Sequence, residues 1–239
     1  MSGAAKILIG AAGVDTGASD DEFDNVSFLS HFDGANNGTN IVYDDGSASN
    51  HTVSVNATPQ QGTFSPFSRV DGEWSNYFDG SGDYLTPATS SDFTFGTGDF
   101  TVECWVYFDT VEYTGIWQID TTPLSGAGYI APVLEVTPTG DGGAFVWSTL
   151  TKHGGDSRKS SSVTPSTNTW YHTAVVRTSG TIKVFVDGTQ VISDFTDTTD
   201  FTDRDSVVIG GFFSTTYLLN GYISNFRIVK GTAVYTSNF

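Results

Sequence analysis

The stretch WYHTAVVRTSGTIKVFVDGTQVI, residues 170–192, decides the fold. It holds two runs rich in β-branched residues, Tyr171–Arg177 and Thr181–Val186, which are joined by a short turn, and a third run at Thr189–Ile192. Asp187-Gly188 separates the second run from the third. Asp-Gly in this position is typical of a type I′ hairpin, because both central residues need a positive φ. The stretch therefore predicts three consecutive antiparallel strands.

Similar strand signals recur from Val26 onward, with turn residues between them. The longest is Asp99–Asp109, in which apolar residues alternate strictly with the others, as in a strand packed on one face. No run of twelve residues has a helical pattern, and no fixed-period repeat indicates a propeller or solenoid. About a dozen or more short strands with an aromatic core predict an all-β, two-sheet antiparallel sandwich, formed by residues 26–239 as one domain.

Residues 1–25 have a different composition. A small-residue apolar segment, Ala4–Val14, runs into the acidic, turn-rich Asp15–Glu22, and neither part has a regular period. We predict an extended N-terminal arm or linker that becomes ordered only against a partner, the alternative being a disordered terminus. The apolar residues expected to make that assembly contact are Ile7, Leu8, Ile9 and Val14.

The charge balance narrows the choice of partners. Lys and Arg total 10 against 27 Asp and Glu, which gives a net charge of −17. Nucleic acid and anionic membrane surfaces are therefore not expected as partners, because phosphate binding needs clustered Lys and Arg. No stretch reaches the roughly 18 apolar residues of a membrane span. Cys104 is the single cysteine, so no intrachain disulfide forms.

Six segments, in order, carry a family resemblance: Phe28–Gly34, Tyr77–Leu85, Phe95–Tyr107, Trp170–Arg177, Ile182–Gly188 and Gly221–Lys230. Together they resemble the laminin-G-like, or pentraxin-like, branch of the concanavalin A-like lectin/glucanase superfamily. The resemblance covers the chain from about Phe28 to its end. It implies a jelly-roll of two antiparallel sheets, with loops along one rim, that binds carbohydrates or proteins, often with calcium.

The sequence of residues 230–239, and more weakly that of residues 7–13, is similar to sequences in structural proteins of marine bacteriophages. This similarity implies a virion protein, either a capsid decoration protein or a short head or tail fibre, displayed on the virion surface. Its arm would dock on other virion proteins, and its lectin-like domain would adhere to bacterial surface glycans, as a monomer or a homo-oligomer. The alternative is a free-standing secreted carbohydrate-binding or adhesin module.

A glycoside hydrolase is the third alternative, since the superfamily includes such enzymes. Their catalysis needs two carboxylates flanking the scissile bond. The glucanase branch carries them as E-x-D-x-x-E on one strand, and none of the five Glu has that spacing. Glu103 lies beside Trp105, but no second acid follows in the strand except the terminal Asp109. We therefore predict no catalytic residues and no enzymatic activity.

Calcium is the one cofactor that the residues suggest. Asp79 and Asp83 flank a Gly-Ser-Gly turn, and both carboxylates, with Asp33 as a neighbour, could face one cation. Calcium takes six to eight oxygen ligands, so this pair alone is insufficient. The alternative is that these aspartates close turns by bonding their own backbone.

Carbohydrate binding needs exposed aromatic rings and nearby polar groups. The aromatic residues on successive central runs could line one concave face, and the polar loop after residue 150 could supply the polar groups. The alternative is that the aromatics fill the sandwich, where we also expect Trp170 and a hydrogen-bonded His172. The candidate sugar-binding residues are Trp105, Trp117, Tyr129, Trp147, His153, Asp156 and Arg158.

Overall fold

A computed structural model describes residues 22–32, 46–67, 74–124, 131–138, 143–150 and 158–239. Two short 3₁₀ helices span Phe23–Asn25 and Ser91–Phe93. The strands are β1 (Val26–Ser30), β2 (Val53–Asn56), β3 (Gln60–Gly62), β4 (Ser75–Asp79), β5 (Tyr84–Pro87), β6 (Phe100–Phe108), β7 (Thr114–Asp120), β8 (Ala131–Val136), β9 (Phe145–Leu150), β10 (Lys159–Ser160), β11 (Trp170–Thr178), β12 (Thr181–Val186), β13 (Thr189–Thr196), β14 (Ser206–Ile209), β15 (Gly211–Phe212), β16 (Ser214–Leu218) and β17 (Asn220–Lys230).

The strands pair into two large antiparallel sheets. One has eight strands, in the order β13-β12-β11-β6-β17-β4-β3, with β1 also paired to β17. The other has seven, in the order β10-β9-β8-β7-β14-β5-β2, and β15 and β16 form a separate hairpin. The predicted all-β sandwich of the jelly-roll type is confirmed. In the described part of the chain, no helix is long and apolar enough to cross a membrane.

The stretch that predicted the fold forms β11, β12 and β13, which are neighbours in the eight-stranded sheet. Asp187 and Gly188 have φ values of 49° and 71°, and Ser179 and Gly180 have values of 48° and 74°. Both turns therefore use two consecutive residues of positive φ, as type I′ hairpins require. The predicted meander is confirmed.

Strand β6 shows how alternation along one strand separates the core from the outer face. Its apolar set is fully buried and packs between the sheets: Phe100, Val102, Cys104, Val106 and Phe108. The opposite set, which includes Glu103, Trp105 and Tyr107, lies on the outer face of the eight-stranded sheet. Burying one such apolar side chain contributes about 1.5–3 kcal/mol.

Strand β17 is the longest and crosses the sheet beside β6. Its first half pairs with β4 and its second half with β1. Between these halves the register shifts from Ser224 to Arg227, and Asn225 has a φ of 49°. This bulge lets β17 present Tyr222 and Arg227 to the same outer face, although regular alternation would put residues five positions apart on opposite faces.

The C-terminal segment, residues 231–239, lies across one half of that outer face. The Val234 N–H donates to Thr101 Oγ1 at 2.9 Å, and the Tyr235 hydroxyl donates to Glu103 at 2.8 Å. The Phe239 N–H donates to the Gly188 carbonyl at 3.0 Å. The segment therefore covers the middle of β6, β11 and β12, whereas the end of β6 near Tyr107 lies beyond it.

Candidate functional site

Four aromatic side chains stand in register on the outer face of the eight-stranded sheet. Trp170 pairs with Tyr107, Tyr107 with Tyr222, and Tyr222 with Tyr77, across β11, β6, β17 and β4. Adjacent strands lie about 4.8 Å apart, so the four positions span about 14 Å. All four side chains are half-buried. We call them the aromatic row.

Phe64 packs on top of the aromatic row from the segment that follows β3. Its ring centroid lies 4.7 Å from that of Tyr222, 5.0 Å from Tyr107 and 5.4 Å from Trp170. Phe64 is nevertheless 45% exposed. A cleft of about 420 Å³ lies between residues 60–64 and the rings of Tyr77 and Tyr222. The row and the exposed Phe64 together therefore present apolar ring surface beside an open cleft.

One step further along the strands, a polar row runs parallel to the aromatic row. Asn220 pairs with Asp79 on β4, and its carbonyl accepts the Asp109 N–H at 3.0 Å from the end of β6. The Asn220 Oδ1 atom is buried and has no hydrogen-bond partner among the described residues. The polar row is therefore two carboxylates on either side of an amide.

These carboxylates act electrostatically on the aromatic row. Burial raises the pKa of the Tyr77 hydroxyl, and the negative charges of Asp109, Asp79 and Asp83 raise it further. Burial and then Asp109 likewise raise the pKa of Tyr222. Both tyrosines therefore stay neutral hydroxyls, able to donate and accept hydrogen bonds at neutral pH.

Trp105 is the predicted sugar-binding residue that the structure brings to this surface. It is half-buried on the outer face, two residues before Tyr107, and pairs with His172 and Ser224. Its ring lies 5.4 Å from that of Phe67 and 5.3 Å from that of His172. Trp105 therefore borders the aromatic row on the side away from the polar row.

The structure contradicts the prediction that Trp117 and Trp147 bind sugar. Both are fully buried between the sheets, with ring centroids 6.1 Å apart, so neither can stack on a sugar. Strand β7 is buried on both faces, so its sequence does not alternate between apolar and polar residues in a way that identifies the core side. Trp170 is the opposite correction, because it lies half-buried in the aromatic row rather than in the core.

Arg158 lies on a different surface. Its guanidinium pairs with the buried carboxylate of Glu135 and lies 5.5 Å from the centre of the Tyr113 ring. Burial and then the Glu135 charge raise the pKa of Tyr113 to about 12. Glu135 belongs to β8, so this group sits on the seven-stranded sheet and is not part of the aromatic row. Tyr129, His153 and Asp156 lie outside the described residues.

The predicted calcium ligands Asp79 and Asp83 accept hydrogen bonds from backbone N–H groups. Asp83 is 1% exposed and accepts N–H groups from Thr58 at 2.8 Å and from Asp79 at 3.1 Å. Asp79 accepts the Ser81 N–H at 2.7 Å. The Asp79 contact to Ser81 is turn chemistry, whereas Asp83 links its turn to the distant Thr58. The described residues contain no cluster of three metal-ligating side chains. Asp33 lies outside them, as do the arm residues Ile7, Leu8, Ile9 and Val14, so the calcium site and the arm contact stay predictions.

Sequence reasoning missed Phe64, Tyr77, Tyr107 and Tyr222 as site residues. Alternation along β17 places Tyr222 opposite the core residue Ile223, which is a usable signal. Tyr222 and Tyr77 come together because β17 pairs with β4, which lies far from it in the chain. The residue pattern of a single strand does not show which strand it pairs with. Phe64 lies in an irregular segment with no period.

Residues 78–233, well over half of the chain, match a laminin-G-type family model described as the concanavalin A-like lectin/glucanases superfamily. The chain belongs to this superfamily. The resemblance that the six sequence segments carried is therefore confirmed. No curated protein sequence matches this member of the superfamily.

Solved structures share its fold at low identity. Domain 4 of AbnA, a GH43 extracellular arabinanase from Geobacillus stearothermophilus in complex with arabinotriose, is 14% identical, with a TM-score of 0.65 over 88% of this chain and 94% of that domain. The binding domain of Paraclostridial Mosquitocidal Protein 1 is 14% identical, with a TM-score of 0.64 over 90% and 51%. The binding domain of Botulinum neurotoxin DC, in complex with rat synaptotagmin II, is 12% identical, with a TM-score of 0.59 over 88% and 49%. This chain thus spans about half the length of the two toxin domains.

Proposed function

We propose that this protein is a non-catalytic carbohydrate-binding module and that the aromatic row and its cleft form the sugar-binding surface. The observation that carries the proposal is the register of Trp170, Tyr107, Tyr222 and Tyr77 beside an open cleft. Sugar rings have apolar faces that pack on aromatic side chains, and polar groups at the edge fix their orientation. Gln60, which pairs with Tyr77 and is exposed, continues the row with such a group.

The structural relatives support the class of ligand. AbnA domain 4 was solved with arabinotriose, and a Botulinum neurotoxin DC binding domain was solved with SialylT. At 14% and 12% identity these likenesses concern the fold. The assignment of the surface therefore rests on the geometry of the aromatic row.

Replacing Tyr222 by alanine should weaken oligosaccharide binding about ten-fold or more. Tyr222 contacts Tyr77, Tyr107 and Phe64, so its loss removes one ring and loosens the others. Central aromatic contacts of a binding surface typically contribute about 2 kcal/mol or more. The measurement is isothermal titration with the best neutral oligosaccharide from a glycan panel.

Tyr84→Ala is the matched control, because Tyr84 is a half-buried tyrosine on β5 of the seven-stranded sheet. Its affinity should equal that of the wild type. Equal weakening by both variants, or no binding by the wild type across the panel, would overturn the assignment.

The absence of catalysis is part of the proposal. Glu103, two residues before Trp105 on β6, is fully buried and engages both carboxylate oxygens in hydrogen bonds to Arg227, His172 and Tyr235. A general acid needs access to the glycosidic oxygen. Incubation of the wild type with each bound oligosaccharide should therefore release no shorter sugar.

We further propose that the module is displayed on a bacteriophage particle, as a capsid decoration protein or a short fibre, through residues 1–25. The support is the similarity of residues 230–239 to structural proteins of marine bacteriophages. The alternative is a free-standing secreted adhesin module.

Deleting residues 1–25 should abolish incorporation into particles and leave oligosaccharide affinity unchanged, because the arm and the aromatic row would act separately. Quantifying the protein in purified particles and titrating the truncated chain measures both effects. Full occupancy of the truncated protein on particles would show that the docking assignment is wrong.

A further inference from the structure

The polar row places two carboxylates and an amide beside the aromatic row, where they would contact a bound sugar. We propose that this surface selects sugars carrying a protonated amine, with the sugar ring against Tyr77 and Tyr222 and the ammonium over Asp79, Asn220 and Asp109. The inference rests on the proposed function and names the substrate class of the same site.

The acceptors of the polar row lie side by side on three neighbouring strands. Asp79 on β4 and Asp109 at the end of β6 flank Asn220 on the strand between them, so two strand spacings, about 10 Å, separate their positions. The Asn220 Oδ1 atom is buried and unpartnered among the described residues. An ammonium offers three donors and no acceptor. Two carboxylates and one amide oxygen therefore match it, whereas a hydroxyl offers one donor.

The aromatic row itself favours a cation. The face of an aromatic ring is negative, so a cation within about 6 Å of the ring centre is attracted to it. Tyr77 and Tyr222 line the cleft with centroids 4.9 Å apart, and Phe64 closes it at 4.7 Å from Tyr222. The cleft itself lies between residues 60–64 and these two rings, and the polar row lies one step along the strands from Tyr77 and Tyr222.

The carboxylates of Asp79 and Asp109 have no positive partner among the residues that the structure describes. Asp109 is half-buried, and burial raises the pKa of its carboxyl. Keeping a partly desolvated carboxylate unpaired costs free energy, which a cationic ligand offsets. An anionic sugar would meet the charges of Asp79, Asp83 and Asp109 together.

Three trisaccharides that differ in charge test the inference: the trimers of glucosamine, of N-acetylglucosamine and of galacturonic acid. At a pH where the amines are protonated and at low salt, the glucosamine trimer should bind about ten-fold tighter than the N-acetylated one. The galacturonic acid trimer should show no measurable binding. Asp109→Asn and Asp79→Asn should each reduce this preference several-fold.

Asp203→Asn is the matched control, because Asp203 is an exposed aspartate on the loop before β14. It should keep the full preference. Equal affinity for the cationic and neutral trimers, or a preference that Asp203→Asn reduces as much as Asp109→Asn does, would overturn the inference and leave the proposed function standing. The proposed function itself fails if no trimer binds, or if Tyr222→Ala binds them as tightly as the wild type.

Discussion

Replacing Glu103 by glutamine is expected to lower the free energy of unfolding at pH 7 by about 3–5 kcal/mol. Glu103 is fully buried, and its Oε1 accepts from Arg227 Nε at 2.6 Å. Its Oε2 accepts from the Tyr235 hydroxyl at 2.8 Å and lies 3.1 Å from His172 Nε2. A carboxylate only accepts, so Nε2 of His172 carries the hydrogen. Glutamine would leave the buried guanidinium of Arg227 facing a neutral amide.

The pH dependence of this effect has a definite sign. Burial alone would raise the pKa of Glu103, but the Arg227 charge, His172 and Tyr235 outweigh it and lower the pKa to about 2 from an ordinary value of 4.5. A depressed carboxyl pKa stabilises the fold above its unfolded value, and this contribution is lost as pH falls through the folded value. The difference between wild type and Glu103→Gln should therefore shrink between about pH 4.5 and pH 2.

Urea unfolding at a series of pH values measures both effects. Glu112→Gln is the control, because Glu112 is exposed, and it should change the stability by less than about 0.5 kcal/mol. A Glu103→Gln effect below about 1 kcal/mol at pH 7, or one of the same size at pH 2.5, would contradict the description of this cluster.

The second large effect is expected at Arg177, where methionine should lower the free energy of unfolding by about 3 kcal/mol. Arg177 is fully buried and donates to three backbone carbonyls: Gly98 at 2.7 Å, Gly96 at 2.6 Å and Thr199 at 2.9 Å. Its guanidinium lies 5.0 Å from the ring centres of both Phe100 and Phe201. Arg177 therefore links the loop at residues 96–98 and the loop at Thr199 to strand β11. Methionine retains apolar bulk but offers no donor.

Lys183→Met is the comparison for Arg177→Met. Lys183 forms an ion pair at 2.8 Å with Asp194, whose side chain is 52% exposed. Exposed pairs contribute about 0–1 kcal/mol, so this variant should be nearly as stable as the wild type. Equal thermal stability of the two variants would show that the three carbonyl contacts of Arg177 do not stabilise the fold.

The fold could be predicted because its signals are local. Positive-φ pairs such as Asp187-Gly188 and strict alternation along β6 act within a few residues, and the structure contains both. The sheet order and the pairing of β17 with both β4 and β1 depend on distant segments. Only the family resemblance implied that such distant segments pair in two sheets.

The site was harder to predict because a surface has to be assembled from several strands. Alternation along β7 and β9 could not show which side of the sandwich Trp117 and Trp147 face, and both proved to be core. His172 was expected as a satisfied core histidine. It is 1% exposed and bonded to Glu103, but it lies on the outer face, where Tyr235 and Phe239 cover it. Burial by a terminal segment leaves no periodic signal in the strand beneath.

An NMR titration of the amide resonances with a neutral oligosaccharide tests the central claim most directly. Binding at the aromatic row predicts the largest shift changes at residues 60–64, Tyr77, Tyr107, Trp170 and Tyr222. Residues around Tyr113, Glu135 and Arg158 on the opposite sheet should remain unchanged. Shift changes concentrated on that opposite group, with the aromatic row silent, would contradict the account.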